Sequence, residues 1–463
     1  MSADSAYRIE NPSTGAVEKT FRFTNDEEVS SAIKAGDESY VEWSSRSMAE
    51  RGSILERLAS LLDERASQLA AIATREMGKP HAEAVGEVKY SAQIVRYFAT
   101  EGERLTQDQE LKDVDGTKAV LQRRPIGLLL GIMPWNYPYY QVARFAAPNL
   151  MLGNTVLLKH AEICPGSALA IQDLMDEAGV PSGVYQNLFA THEQISTVIA
   201  DPRVQGISLT GSERAGSQVA EQAGRHLKKV VLELGGSDPY VVLSTEDIDA
   251  AAETAWSARM ANSGQSCVSN KRIIVMEDIY DEFVDALSAK ARALSPADPM
   301  DSPPNGFAPL SSEAAADRLL GQIQDAVANG ATVVTGGTRE DCPGYYVKPA
   351  VITGITPSAR AYREELFGPA AMVYKVSSET AALELANDSD YGLGGSVFST
   401  DAEQAERVAQ QLNVGMAHVN AYHTAGADLP FGGVKRSGYG RELGPLGMDE
   451  FVNKRLFTLN TPA

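Results

Sequence analysis

The sequence predicts an α/β protein of at least two domains, each built on a parallel sheet covered by helices. Length is the first reason, because 463 residues exceed what one hydrophobic core organises. The second is pattern: short, continuously apolar runs alternate with helical stretches, and strands of that kind are buried on both faces. Composition is the third, with 43% hydrophobic and 22% charged residues as in ordinary folded chains.

Taken in order, Ile54, Leu55, Leu58, Leu61 and Leu62 form one apolar stripe at helical spacing, and Gly78-Lys79-Pro80 stops it. Asp115-Gly116 separates two strand-like segments and has the chemistry of a tight hairpin turn. The many charges of this hairpin predict that it projects and pairs with another subunit. From Ile126 onward IGLLLGIMPWN, NTVLLKH, GVYQNLF, GISLTGS and KVVLELGG read as buried strands ending in polar turns, and CPGSALAIQDLMDEAGVP reads as a helix. A second alternating set follows residue 235, with strands KRIIVM, ATVVTGG and AAMVYKV and helices DEFVDALSAKARAL and DRLLGQIQDAVANG. KRLFTLN near the end has strand character, and its distance from other strands predicts that it completes a sheet on a neighbouring protomer.

Acidic residues outnumber basic ones by 61 to 41, a formal charge of -20 that repels phosphate backbones and argues against a nucleic-acid partner. An anionic ligand would need locally placed cations. Cys164, Cys267 and Cys342 are odd in number and widely spaced, so neither a disulfide framework nor a metal site is expected, and a reducing compartment is. The start, MSADSAYRIENPSTG, lacks a basic-then-apolar leader, and no apolar run is long enough to cross a bilayer. A soluble, cytoplasmic protein is expected, with no membrane partner.

Ligands in parallel sheets bind beyond the carboxyl ends of the strands. Those ends carry Asn136, Lys159, Ser212, Glu233 and Cys267, so an amide, an ammonium, a hydroxyl, a carboxylate and a thiol are expected to share one crevice. A free thiol titrates near about 8.5 and its anion is strongly nucleophilic, although a lone cysteine is more often a small core residue. Ser212, between a strand and a helix, reads as a cap whose neighbouring N–H groups could receive a phosphate.

Six stretches, PWNYP (134–138), LTGSERAG (209–216), LELGGSDP (232–239), NSGQSC (262–267), EELFGP (364–369) and PFGGVKRSG (430–438), together resemble the NAD(P)-dependent aldehyde dehydrogenases. QVARFAAPNLMLGNTVLLKHAE and LGGSDPYVVL are most similar to the succinate-semialdehyde members. The resemblance implies an aldehyde dehydrogenase-like fold with two Rossmann-like domains and a small β oligomerisation element. Residues 1–106 and 125–234 would bind the dinucleotide, 235–435 would form the catalytic domain, and 107–124 with 436–463 would supply the oligomerisation hairpin and return segment. Homodimers or homotetramers are implied.

By the same resemblance Cys267 is the nucleophile, Asn136 and the Cys267 N–H hold the oxyanion, and Glu233 activates water, giving a free acid rather than a coenzyme A ester. Trp135, Lys159, Glu162, Gly211, Ser212, Gly216, Glu365 and Phe367 would bind the cofactor. A carboxylate at Glu162 suits ribose hydroxyls and repels a 2'-phosphate, so NAD is preferred over a possible NADP. Arg144, in an otherwise apolar helix, would meet the far carboxylate of a small aldehyde substrate or else pair internally, and His423 or Thr424 could add a polar contact. Two positions depart from relatives: Ala261 stands where some have a second arginine, and Ser269 where others have a second cysteine. A broad-specificity medium-chain or aromatic aldehyde dehydrogenase is the alternative.

Overall fold

A computed structural model describes residues 7–114, 117–301 and 303–460, and the expected turn Asp115-Gly116 lies outside the described residues. Two sheets organise the chain. The first contains β1 (Leu128–Met133), β2 (Thr155–His160), β3 (Tyr185–Asn187), β4 (Val204–Thr210) and β5 (Lys229–Glu233). These run parallel in the order β5-β4-β1-β2-β3, and the strand Gly438–Tyr439 adds an antiparallel edge beside β5. The chain winds outward from β1 in one direction and then in the other, so the crevice between the ends of β1 and β4 is a topological switch point.

The second sheet contains β6 (Pro239–Val242), β7 (Arg272–Met276), β8 (Thr332–Thr335), β9 (Ala350–Thr353), β10 (Ala370–Val376), β11 (Gly394–Phe398) and β12 (Met416–Val419). Its order is β8-β9-β10-β7-β6-β11-β12, parallel except where β8 opposes β9. Every residue of β2 and β6 is buried, which explains why β2 reads as a continuous rather than an alternating run.

A third, antiparallel sheet joins Gln109–Val114, Thr117–Pro125 and Val452–Asn460. The terminal strand pairs within its own chain, from Val452 opposite Pro125 to Asn460 opposite Thr117, which corrects the expectation that it completes a neighbour's sheet. Separation along the sequence did not measure separation in space, and the backbone groups of Thr117–Pro125 find partners in the same chain. Leu111, Leu456, Phe457 and Leu459 remain exposed on this sheet.

The early apolar stripe buries Leu55, Leu58, Leu61 and Leu62 on the helix Met48–Glu64, whose start is fixed by a reciprocal Ser47–Glu50 capping box. The run breaks at Arg65, resumes over Ala66–Met77, and ends at Gly78 with φ of 78°, a left-handed cap that glycine adopts without a Cβ penalty. The next helix, His81–Leu105, carries Glu87 to the start of helix α1 (Tyr140–Leu152). That start has no side-chain cap of its own; Glu87 Oε1 accepts instead from the Tyr139 and Tyr140 N–H groups at 2.8 and 3.1 Å. The other oxygen of Glu87 pairs with the fully buried Lys79 ammonium. Removing either member would strand a buried charge, at about 3–5 kcal/mol, so the loop before α1 rests on a rigid support.

Helix α2 (Glu213–Arg225) follows β4, and helix α3 (Ile248–Met260) leads to the segment around Cys267. Gly216 packs α2 against the strand end, since a Cβ there would lie 2.6 Å from Leu234 Cδ2. Among the described residues no helix is long and apolar enough to cross a membrane, and no group of three or more His, Cys, Asp or Glu side chains could hold a metal ion.

Candidate active site

The segment leading to Cys267 leaves α3 through three consecutive left-handed residues, Asn262 (φ 52°), Ser263 (φ 53°) and Gly264 (φ 72°). Such a backbone costs about 1–3 kcal/mol at each non-glycine position and persists only where its surroundings fix it. Here they do. Asn262 N–H donates to Glu83 Oε2 at 2.7 Å, and Asn262 Nδ2 donates to the Asn136 and Gln265 carbonyls at 3.0 and 3.2 Å. Gln265 Nε2 returns a bond to the Asn262 carbonyl at 3.2 Å, and its Oε1 accepts from Ser311 N–H at 2.9 Å.

Asn136, in the turn after β1, is buried and donates through Nδ2 to the Gln265 carbonyl at 3.0 Å, while its Oδ1 accepts from Gln141 Nε2 at 3.1 Å. The amide is therefore oriented with its donors toward the cysteine segment, and its second hydrogen is free for an oxyanion. Cys267 itself is half-buried. Burial pushes its thiol up to about 11; Lys271 and Arg144 act to lower it, Glu365 and Asp238 to raise it. The resting sulfur is thus protonated at neutral pH, more firmly than the ordinary value would have it.

Glu233 ends β5, and neither carboxylate oxygen has a hydrogen-bond partner among the described residues. Burial raises its carboxyl well above the usual range; the Arg144 guanidinium opposes this and Glu442 adds to it. A buried, unpartnered carboxyl group is poised to bind water and to act as a base once ionised.

Arg144, expected to meet a substrate carboxylate or else to pair internally, is fully buried with its guanidinium paired, and its charge also acts on Cys267 and Glu233. Nε pairs with Glu442, Nη1 donates to Tyr140 Oη at 3.2 Å and Nη2 to Thr210 Oγ1 at 3.3 Å. Its charge lies over the Phe431 ring at 4.2 Å, and its side chain is 1% exposed. Glu442 also accepts from Ser208 Oγ at 3.1 Å. The internal ion pair is present. The apolar helix could not reveal it, because the partner lies almost 300 residues further along the chain.

On the dinucleotide side, Trp135 and Phe367 meet edge to face at 5.7 Å between ring centroids. Lys159 at the end of β2 pairs with Glu162, and His192 Nε2 lies 3.8 Å from the same carboxylate. Burial works against the Glu162 charge, but the Lys159 ammonium, by proximity and hydrogen bond, brings its carboxyl below the ordinary range. Gly211 donates to the Glu233 carbonyl at 3.0 Å, and Ser212 caps α2 through Ala215 N–H at 3.3 Å. Glu365 accepts from Gly236 N–H at 3.1 Å. A helix N-terminus at the switch point, a lysine–carboxylate pair at the next strand end and an aromatic pair between the two sheets make a donor set that fits a dinucleotide.

His423 packs against His418 at 5.4 Å and beside Tyr422, and burial lowers its imidazole to about 4, so it is neutral. Thr424 is exposed. Sequence reasoning missed Arg259, Lys271 and Glu442. For the first two a signal was present: a charge at the end of an apolar helix, and a second charge beside Arg272 at the head of a buried strand.

The aldehyde dehydrogenase family model matches residues 1–456. A succinate-semialdehyde dehydrogenase [NADP(+)] of Deinococcus radiodurans is 53% identical over 446 residues, covering 96% of this chain and 93% of that protein. One of the same name from Mycobacterium avium is 41% identical over 448 residues, 96% of this chain and 95% of its own. The crystal structure of succinic semialdehyde dehydrogenase from Streptococcus pyogenes, with NADP+ as cofactor, superposes with a TM-score of 0.95 at 41% identity, covering 98% of this chain and 100% of that one. The chain belongs to the aldehyde dehydrogenase family. It is accordingly an NAD(P)-dependent oxidoreductase.

Because Arg144 is paired to Glu442, Arg144→Ala should lower kcat/KM for succinate semialdehyde and for hexanal by similar factors. Steady-state kinetics on both aldehydes check this, and a loss confined to the semialdehyde would return the residue to substrate recognition.

Proposed function

We propose that this enzyme oxidises succinate semialdehyde to succinate. The observation that supports the chemistry is the Asn136 amide bonded to the Gln265 carbonyl, two residues ahead of Cys267, an arrangement that suits an oxyanion donor. The identity of the aldehyde rests on the similarity to the succinate-semialdehyde dehydrogenases above. A medium-chain or aromatic aldehyde is the second reading, favoured by the inward pairing of Arg144.

An aldehyde carbon is flat and electron-poor and gives up its hydrogen with an electron pair only after becoming tetrahedral. Cys267 Sγ, once its proton has left, adds to that carbon, and the oxygen takes up the negative charge beside the Asn136 amide and the Cys267 N–H. A nicotinamide dinucleotide, when bound, supplies the acceptor for the aldehydic hydrogen and its electron pair. The acyl group stays on Cys267 as a thioester. Glu233 then takes a proton from water, whose oxygen attacks the thioester carbonyl and releases the thiolate and the acid.

The cofactor preference turns on Glu162. The relatives above are named for or bound to NADP(+), whereas the ionised Glu162 carboxylate opposes a 2'-phosphate and Lys159 attracts one. We propose that NAD is accepted readily and that Glu162, not the rest of the site, limits NADP. Three unpaired cysteines fit a reducing compartment such as the cytoplasm. The exposed apolar side chains of the third sheet support a homodimer or homotetramer, and sedimentation equilibrium should give a mass that is a multiple of 49.6 kDa.

Glu233→Gln should release about one equivalent of reduced cofactor per site and then stall with Cys267 acylated, as rapid mixing and intact mass would show, with turnover lower by about 10²–10⁴-fold. A base with a raised pKa is ionised only as pH rises through it. Native turnover should therefore climb with pH on a limb lying above the ordinary carboxyl value of about 4.3. Glu162→Ser should raise kcat/KM for NADP about tenfold and change that for NAD by less than about threefold. Equal changes for both would remove Glu162 as the determinant.

A further inference from the structure

Lys271 lies four residues beyond Cys267, immediately before β7, with its side chain fully buried. Its ammonium donates to the Ser266 carbonyl at 2.6 Å and the Cys267 carbonyl at 2.9 Å, and it pairs with Glu365 Oε1 at 2.9 Å. Three donors meet three acceptors, so the group is saturated and its position is fixed. It also lies 5.9 Å from the Phe367 ring centroid. One buried cation therefore touches both the backbone of the proposed nucleophile and the carboxylate expected to hold the cofactor's nicotinamide ribose.

We propose that Lys271 is an electrostatic positioning residue for Cys267, and that Glu365 sets how much of its charge the sulfur feels. With Glu365 fully engaged on Lys271, the pair is nearly neutral toward the thiol. When Glu365 accepts hydrogen bonds from ribose hydroxyls, its charge is shared with a second partner and the ammonium acts on the sulfur more strongly. The thiol proton then passes to solvent more readily, and the nucleophile forms where a cofactor is already in place. This rests on Cys267 being the nucleophile.

The other groups around the sulfur do not supply this link. Arg144, from α1, favours the thiolate but is paired with Glu442 and shared with Glu233. Asp238, at the start of β6, disfavours the thiolate and titrates near neutrality, with burial pushing its carboxyl up to about 7 and Lys271 opposing. Tyr140 and Tyr422 interact with Cys267 as neutral phenols, each raised by burial. Lys271 is the group that joins the sulfur's backbone to a cofactor-side carboxylate.

The test is the pH dependence of carboxamidomethylation of Cys267 by iodoacetamide, in which the thiolate displaces iodide, read by mass spectrometry with peptide mapping and needing no turnover. In the native enzyme, saturating NAD should accelerate alkylation at pH 7.5 about tenfold, a shift of about one unit. Lys271→Met should slow alkylation of the free enzyme about tenfold and abolish the acceleration, and Lys271→Arg should restore part of both. Glu365→Gln should do the opposite in the free enzyme, speeding alkylation before any cofactor is added. That variant also carries the test if Lys271→Met does not fold. Unchanged profiles in Lys271→Met, or slower alkylation in Glu365→Gln, would overturn the proposal. Rapid labelling elsewhere with Cys267 spared and turnover intact would instead overturn the nucleophile assignment itself.

Discussion

The site depends on one fully buried guanidinium. Arg259, at the end of α3, donates through Nε to the Ala370 carbonyl at 2.8 Å, through Nη1 to the Gly264 carbonyl at 3.2 Å and Ser269 Oγ at 2.8 Å, and through Nη2 to the Leu366 and Gly368 carbonyls at 2.8 and 2.6 Å. All five N–H donors are in use. One arginine thus ties the segments on both sides of Cys267 to the stretch carrying Glu365 and Phe367. Burial lowers its pKa only to about 10, so it stays charged at neutral pH, and each carbonyl it binds is relieved of a desolvation cost. Gly264 completes the junction, because any Cβ there would collide with the Gly368 carbonyl oxygen. The three left-handed residues before the sulfur are affordable only inside this framework.

Around that framework burial acts on the two groups proposed to react. Cys267 and Glu233 each favour their neutral forms for the same reason, loss of water, and Arg144 pulls both toward ionisation. Arg144 cannot do so at full strength, because Glu442 accompanies it. A protonated thiol is inert toward stray electrophiles, and a protonated carboxyl does not deliver water to an acyl group prematurely. Low polarity around the sulfur therefore sets an order of events as well as a reactivity.

Much of the fold was legible because its signals are local. Strands such as Thr155–His160 are apolar throughout, and the helix Pro165–Ala178 is framed by Pro165 and the left-handed Gly179. Asn136, Glu233 and Cys267 were legible as residues ending strands or following short motifs. Partners remote in sequence were not. The Arg144–Glu442 pair and the pairing of Val452–Asn460 with Thr117–Pro125 each join positions about 300 or more residues apart, and no periodicity or spacing encodes such a contact. For Arg144 the sequence left a ligand and an internal partner both open, because Glu442 lies so far along the chain.

Ser269 lies two residues beyond the sulfur. In a chain with cysteine there, two thiols two residues apart could close a disulfide and silence the nucleophile. Here the hydroxyl accepts from Arg259 and sits in the framework described above, so the position serves the geometry of the loop rather than its redox state. Charge and burial both act on the sulfur. Those influences are supplied by Lys271, Arg144, Glu365 and Asp238, drawn from four separate segments. If Cys267 is the nucleophile, as proposed, whatever binds those charges alters its reactivity, and a dinucleotide held by Glu365 is one such input.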